Sequence, residues 1–422
     1  MAAQPEAAAT PAPARLGPRP YVQHLTTATA AWASSLAALP HLSNGSLPWN
    51  GRLPSGPARE RENLLASLAG IDPDAFADAV AAEAKRRRNR FEAGVAAYRN
   101  HPYRRTLPTA PVLWQDGTTK LLDYRSGRGR RDRPAVLVIP SLVNRFYVLD
   151  LLPDSSFLRW LAAEGFPVFV ADWDAPGTEE RTYDLTAYTD RRLVPMLDAT
   201  IAASGGRKPI LFGYCMGGNL ALALAHRRAK DIARLALLAT PWDFHAERPD
   251  QARWLGAMAG WLMPAMAAAG ALPVDAIQSL FAAIDPMQVI RKFVEFGALD
   301  PSSDRARRFV ALEDWLNDGM PLAAPVAIET LAGWYGANTP ASGNWRIGDA
   351  PVDPRRCGLP SLAVIPAGDR IVPPGSALAL AAALPNVETM RPAAGHIGMM
   401  VGGRAERDVW RPIADWMARA GA

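Results

Sequence analysis

Cysteine is scarce. The 422 residues contain two, Cys215 and Cys357. Two thiols exclude a disulfide framework and suit a reducing cytoplasm, where this chain is expected to reside. Histidine is nearly as rare, with six: His24, His41, His101, His226, His245 and His396. Strong net charge is missing too, at +5. Basic runs do occur, at Lys85-Arg86-Arg87-Arg88 and from Arg128 to Arg133. They lack interleaved aromatics, so they read as a solvated helix face and a loop, and no nucleic-acid partner is expected. The stretch Met1 to Pro20 is rich in Ala and Pro and has no apolar core segment. It reads as a disordered tail over 1–20, not a signal peptide. One long uncharged run exists, Trp254 to Val274. It is long enough to span a bilayer, but Pro264 interrupts it and small residues dominate. A cap helix pair over a lipophilic site is expected there, and no transmembrane segment. No internal repeat is visible. No metal and no bound cofactor are expected.

What is present is a globular composition, 49% hydrophobic and 21% charged. Helices are predicted at 21–42, 59–69 and 72–98. Gly70 follows the second, and Asp72 and Asp74 precede the basic residues of the third, the order a helix dipole favours. Residues 44–57 read as a loop. Together 21–105 form an N-terminal helical region. A β-hairpin around Asp116-Gly117 follows, pairing 112–114 with 120–124. Short apolar runs at 135–139, 167–171, 209–212 and 235–239 then alternate with helical stretches at 156–164 and 185–203. That alternation predicts βαβ units and a mostly parallel sheet. It stops across 245–349, a helical insertion rich in Trp and Met, and resumes at 361–366, 376–384, 387–391 and 408–419. The expected architecture is α/β. Its core falls in two parts, 106–244 and 350–422, with a cap insertion between them and the helical extension in front.

The central feature is Pro209 to Leu220. A buried strand runs into Gly213-Tyr214-Cys215-Met216-Gly217-Gly218 and then into an Ala/Leu-rich helix. A Gly-x-nucleophile-x-Gly turn between strand and helix is the nucleophile elbow of α/β-hydrolase-type enzymes. Here Cys holds the nucleophile position. A thiol nucleophile needs a base and a group to orient it. Of the histidines, His396 sits in a glycine-flanked turn after a late strand, and His245 is its competitor. His226 lies too far along the helix after the elbow to reach back, and reads as a surface residue. Asp369 follows the preceding strand, 27 residues before His396, and Asp243 is the alternative acid. The order Cys, Asp, His matches that of α/β-hydrolases. The Met216 backbone N–H, with Val143 from the loop after 135–139, is the expected oxyanion hole. Cys357 reads as structural.

These residues carry a family likeness. Val143-Asn144-Arg145-Phe146-Tyr147-Val148-Leu149-Asp150-Leu151, the Gly-x-Cys-x-Gly-Gly elbow, Thr240-Pro241-x-Asp243-Phe244, Leu312-Glu313-x-Trp315 and Gly395-His396-Ile397-Gly398 resemble the polyhydroxyalkanoate synthases. The class III catalytic subunit is the type most resembled, from about Gly94 onward. Arg370 stands where that family has His. The resemblance implies Cys215 as acyl acceptor, His396 as base, Asp369 as its partner, and Asn144 and Tyr147 as substrate-binding residues. It implies (R)-3-hydroxyacyl-CoA as substrate, with the CoA thioester a reactant and not a cofactor. Its implied partners are a polymer granule surface and either a synthase subunit or a second copy of the chain. The cap residues Trp254, Met258, Trp261, Met263 and Phe281 are expected to exclude water from the site. The alternative is a hydrolase with the same triad, acting as a depolymerase, esterase or thioesterase on hydroxyacyl esters. A third reading is a non-enzymatic homologue that binds granules or a synthase.

Overall fold

The computed structural model describes residues 14–44, 46, 57–127 and 133–419. The chain divides into two compact units, Met1–Tyr103 with Asp285–Val310, and Arg104–Ile284 with Ala311–Ala422.

The first unit is helical. Its elements are α1 (Tyr21–Ser43), α2 (Pro57–Leu68) and α3 (Pro73–Asn100), joined by the helix Gln288–Phe296. Asp72 caps α3, its carboxylate accepting the N–H groups of Asp74 and Ala75. The unit's core sets Phe91, Val95 and Tyr98 against Ile290, Phe293 and Phe296. Gly94 lets the helices meet, since a Cβ there would lie 2.0 Å from the Phe293 carbonyl oxygen. Two expectations change here. Residues 285–310 fall within the predicted cap, yet they cluster with the N-terminal helices. The end of the predicted tail, 14–20, is placed: Arg15 donates to the carbonyls of His101 and Tyr103, and Arg99 to that of Gly17 at 3.1 Å. Residues 1–13, most of the predicted 44–57 loop and residues 128–132 of the second basic run lie outside the described residues.

The second unit is built on an eight-stranded sheet. Its strands are β1 (Val112–Asp116), β2 (Thr119–Asp123), β3 (Val136–Ile139), β4 (Val168–Asp172), β5 (Ile210–Tyr214), β6 (Arg234–Leu238), β7 (Ser361–Val364) and β8 (Val387–Met390). Their spatial order is β1-β2-β4-β3-β5-β6-β7-β8. The first two pairings, β1 with β2 and β2 with β4, are antiparallel, and the remaining ones are parallel. The central strands β3 and β5 are buried along their whole length, as continuous apolar runs in a parallel sheet require. The hairpin turns at Gly117, with φ +55°.

Beside the sheet, Asp150 is fully buried and heavily bonded. Its carboxylate accepts from Arg105 (2.9 Å), Tyr124 (2.9 Å), Ser156 (2.6 Å) and Arg159 (2.8 Å). A buried charge is tolerated when paired and hydrogen-bonded in this way.

The segment predicted as a cap contains α5 (Pro249–Ala269), with Pro264 inside it, followed by the helix Val274–Ala282. Most of the uncharged run expected to form a helix pair is one helix that continues through Pro264, and the second helix begins only at Val274. No helix among the described residues is long and apolar enough to cross a membrane. Which way α5 faces is a correction. Trp254, Trp261 and Met263, expected to shield the site, are instead exposed at 47%, 81% and 48%. The buried side of α5 is lined by Ala252, Gly256, Ala259 and Met266. A Cβ on Gly256 would lie 2.4 Å from the Gly336 Cα. Such close backbone approach requires a very small residue at position 256, and Trp254 and Trp261, seven residues apart, fall on the opposite side of the helix.

Candidate active site

The elbow is set by three close approaches. Strand β5 enters the middle of the sheet and ends at Tyr214. Cys215 follows with φ 55° and ψ −129°, and the helix α4 (Met216–Arg228) starts at once. A non-glycine residue at positive φ costs about 1–3 kcal/mol and persists where its surroundings impose it. They do so here. A Cβ on Gly213 would lie 2.4 Å from the Gly218 Cα, one on Gly217 1.9 Å from the Ile139 carbonyl oxygen, and one on Gly218 1.9 Å from Thr240 Oγ1. The Cys215 N–H donates to the Leu238 carbonyl at 2.8 Å. The thiol thus stands at the N-terminus of α4, half-buried, where the dipole favours negative charge.

His396 and Asp369 meet as expected. His396 Nδ1 lies 2.7 Å from Asp369 Oδ2, and both side chains are buried. The other oxygen of Asp369 accepts the N–H groups of Ile371 and Val372, each at 2.9 Å. The carboxylate is therefore fixed from both sides. Burial alone pulls the His396 imidazole down. The charge of a Cys215 thiolate, the hydrogen bonds with Asp369 and Cys215, and the Asp369 charge outweigh it and carry the pKa up to about 10. Cys215, His396 and Asp369 form one connected group.

The competitors are engaged elsewhere. Asp243 accepts from the His245 N–H and from Asn338 Nδ2 (2.8 Å). His245 Nε2 bonds the Tyr335 carbonyl at 2.8 Å. His226 is half-buried and not a free surface ring, with Nδ1 on the Leu222 carbonyl and Nε2 on that of Asp353. Cys357 is buried, and burial raises its thiol.

The residues predicted around the triad divide. Met216 opens α4, so its N–H lacks an intrahelical acceptor. The Val143 N–H points to Ser141 Oγ at 3.2 Å, within its own loop. Asn144 bridges to Gly319, and its Oδ1 is buried with no partner among the described residues. The Tyr147 hydroxyl is spent on Asp318 at 3.0 Å. Arg145 ties the same loop to Asp174 (3.2 Å) and Asp318 (3.0 Å), and its carbonyl accepts from Trp315 Nε1.

Two neighbours carried little sequence signal. The Tyr214 hydroxyl donates to the His396 carbonyl at 3.1 Å, and its ring stacks on the imidazole at 5.3 Å. Tyr335 comes from the segment predicted as a cap and sits edge-on to Phe244. Burial, and then the charge on Cys215, raise its pKa. Only the Gly-x-Cys-x-Gly frame around Tyr214 hinted at its place.

Residues 134–403 match the alpha/beta hydrolase fold family. The chain belongs to that family. As an α/β-hydrolase-fold protein it also matches, over 105–161, the N-terminus of poly-beta-hydroxybutyrate polymerase (PhaC). Among its relatives is the poly(3-hydroxyalkanoate) polymerase subunit PhaC of Haloferax mediterranei, 27% identical over 310 residues. That alignment covers 73% of this chain and 63% of the relative, so this chain spans less than two thirds of the relative's length. The subunit of the same name from Synechocystis is 29% identical, over 67% of this chain and 77% of the relative. Among solved structures, an esterase from Thermogutta terrifontis aligns over 75% of this chain and all of its own, with a TM-score of 0.46 and 19% identity.

Proposed function

We propose that this protein is an acyltransferase that polymerises (R)-3-hydroxyacyl groups from CoA thioesters into polyhydroxyalkanoate. The observation that carries the reading is the His396 imidazole, joined to Asp369 and to a Cys215 on a hydrolase elbow, in a chain whose relatives are named polymerase subunits.

In this mechanism the Cys215 thiolate attacks the thioester carbonyl. The bond from that carbonyl to the CoA sulfur breaks, and the departing thiolate takes the proton of the His396 imidazolium. Backbone N–H groups at the start of α4 stabilise the oxyanion. One thioester replaces another, so acylation is nearly isoenergetic. It also removes the Cys215 charge, the largest influence holding the imidazole up. The His396 pKa then falls, and a neutral imidazole becomes available as base. It takes the proton of the 3-hydroxyl of the next unit, whose oxygen attacks the acyl carbon and releases Cys215. Passing from thioester to oxoester is downhill. CoA acts as a leaving group, and no separate cofactor is required. A polymer granule, a synthase subunit or a second copy of the chain are the partners this reading carries with it.

The test is purified full-length protein with (R)-3-hydroxybutyryl-CoA, alone and with a candidate partner subunit. CoA release with insoluble polyester is expected. CoA release yielding only free 3-hydroxy acid would overturn the polymerase reading in favour of a thioesterase.

The pH dependence follows from the same charges. The raised pKa means the imidazolium persists through neutral pH and is lost as pH passes about 10. Rapid-quench acylation rates are therefore expected to show their descending limb near pH 10. A descending limb between pH 6 and 8 would contradict the thiolate–imidazolium pair.

A further inference from the structure

Tyr214 stands between the two halves of the reacting pair. It closes β5, opposite Leu238 of β6, and the next residue is Cys215. Its side chain is buried. The hydroxyl donates to the His396 carbonyl at 3.1 Å, across 182 residues of sequence. The ring lies against the imidazole, with centroids 5.3 Å apart and planes at 29°. His396 belongs to a turn between β8 and the helix Gly398–Val401, so no sheet ladder fixes its main chain. The imidazole is thus engaged by Asp369 at Nδ1, by Cys215 through their hydrogen bond, and by Tyr214 on a face. A hydroxyl at this place needs a reason. Phenylalanine would supply the same ring without burying a polar atom, which costs free energy unless that atom is hydrogen-bonded.

We propose that Tyr214 is a positioning residue for the His396 imidazolium: its hydroxyl ties the histidine turn to the strand that carries Cys215, and its ring face holds the positive charge. The inference rests on the Cys215–His396 pair of the reading under Proposed function. The two contacts do different work. The bond to the main-chain carbonyl sets where the imidazole sits relative to the thiol, and a displacement of about 1 Å at a reacting group costs on the order of 10²-fold in rate. The ring acts on charge. An aromatic face attracts a cation within about 6 Å of its centroid, more strongly where water is excluded. The contact therefore favours the protonated imidazole over the neutral one. The charges that act on His396 are those of Cys215 and Asp369. Arg370 adjoins Asp369 but is exposed. Two phenols feel the thiolate, Tyr214 and Tyr335. Burial first, and then the Cys215 charge, push both above the ordinary phenol value. They stay protonated while the imidazolium titrates, so the loss of a proton near pH 10 belongs to His396.

The experiment titrates the His396 ring by NMR in full-length protein carrying isotope-labelled histidine, without substrate, the signal being assigned by its loss in His396→Gln. Tyr214→Phe keeps the ring and removes the hydroxyl, whereas Tyr214→Leu removes both. Tyr214→Phe is expected to leave the titration at its native position and to lower single-turnover CoA release from (R)-3-hydroxybutyryl-CoA about tenfold, with substrate affinity unchanged. Tyr214→Leu is expected to move the titration down by about one pH unit, and Phe at the same position restores it. Packing alone would lower stability without moving the titration. If circular dichroism shows the Leu protein unfolded, Tyr214→Met, nearer the native side chain in length, takes its place. The assignment is overturned by a Tyr214→Phe protein that releases CoA at the native rate, or by a folded ringless protein that titrates with the native one. Failure of the polymerase reading looks different. CoA release then yields only free acid, while the rate loss in Tyr214→Phe and the titration shift in Tyr214→Leu still support the positioning role.

Discussion

Cys215→Ala is expected to lower CoA release from (R)-3-hydroxybutyryl-CoA by about 10⁴-fold or more, the scale seen when a covalent nucleophile is removed. The substitution leaves the elbow intact, since Ala is smaller than Cys and the three glycine contacts are untouched. His396 and Asp369 keep their bond, so binding survives and the loss falls on the chemical step. Mass spectrometry after a single turnover gives the second readout. The native protein gains one 3-hydroxybutyryl group, and the Cys215→Ala protein gains none. Cys357→Ala is the matched control, since that thiol is buried and sits apart from the imidazole's hydrogen bonds. A native rate in Cys215→Ala would remove the covalent route.

Gly217→Ala is expected to cost about 3 kcal/mol of stability, the upper part of the range for overpacking, and to lower activity with it. The new Cβ would meet the Ile139 carbonyl oxygen at 1.9 Å, and the Ile139 and Pro140 carbonyl carbons at 2.7 Å. All three atoms are backbone, so relief requires moving the loop that leads from β3 to Val143. Gly218→Ala makes an informative pair with it. Its obstruction is the Thr240 side chain, so adding Thr240→Gly is expected to restore much of what Gly218→Ala loses. No single side-chain change restores Gly217→Ala. Denaturant unfolding midpoints measure both, and a Gly217→Ala protein as stable as the native one would contradict the packing described for the elbow.

The sheet was legible because each central strand is a short apolar run bounded by turns. Burial on both faces leaves such runs little room for polar residues, and the predicted runs match β3 to β8 to within a few residues. The meeting of Asp369 with His396 was legible for a related reason: parallel strands bring their C-terminal ends to one edge. What stayed hidden depends on partners distant in sequence. The orientation of α5 is set by Gly336, some 80 residues on, so an uncharged run rich in Trp read as a lining when it is an outer face. Residues 285–310 pack on α3, a choice that local periodicity does not record. Tyr214 belongs to an apolar strand run, and only the placement of His396 above its ring gives it a role.

The bonds around Asp150 bear on how this protein can be re-engineered. Its donors, Arg105, Tyr124, Ser156 and Arg159, lie between residues 105 and 159, and the match to the polymerase N-terminus covers 105–161. A chimera joined inside that stretch pairs one parent's carboxylate with another parent's arginines. Exchange with a relative therefore has to move 105–159 as a single cassette, and a shortened chain has to keep Arg105.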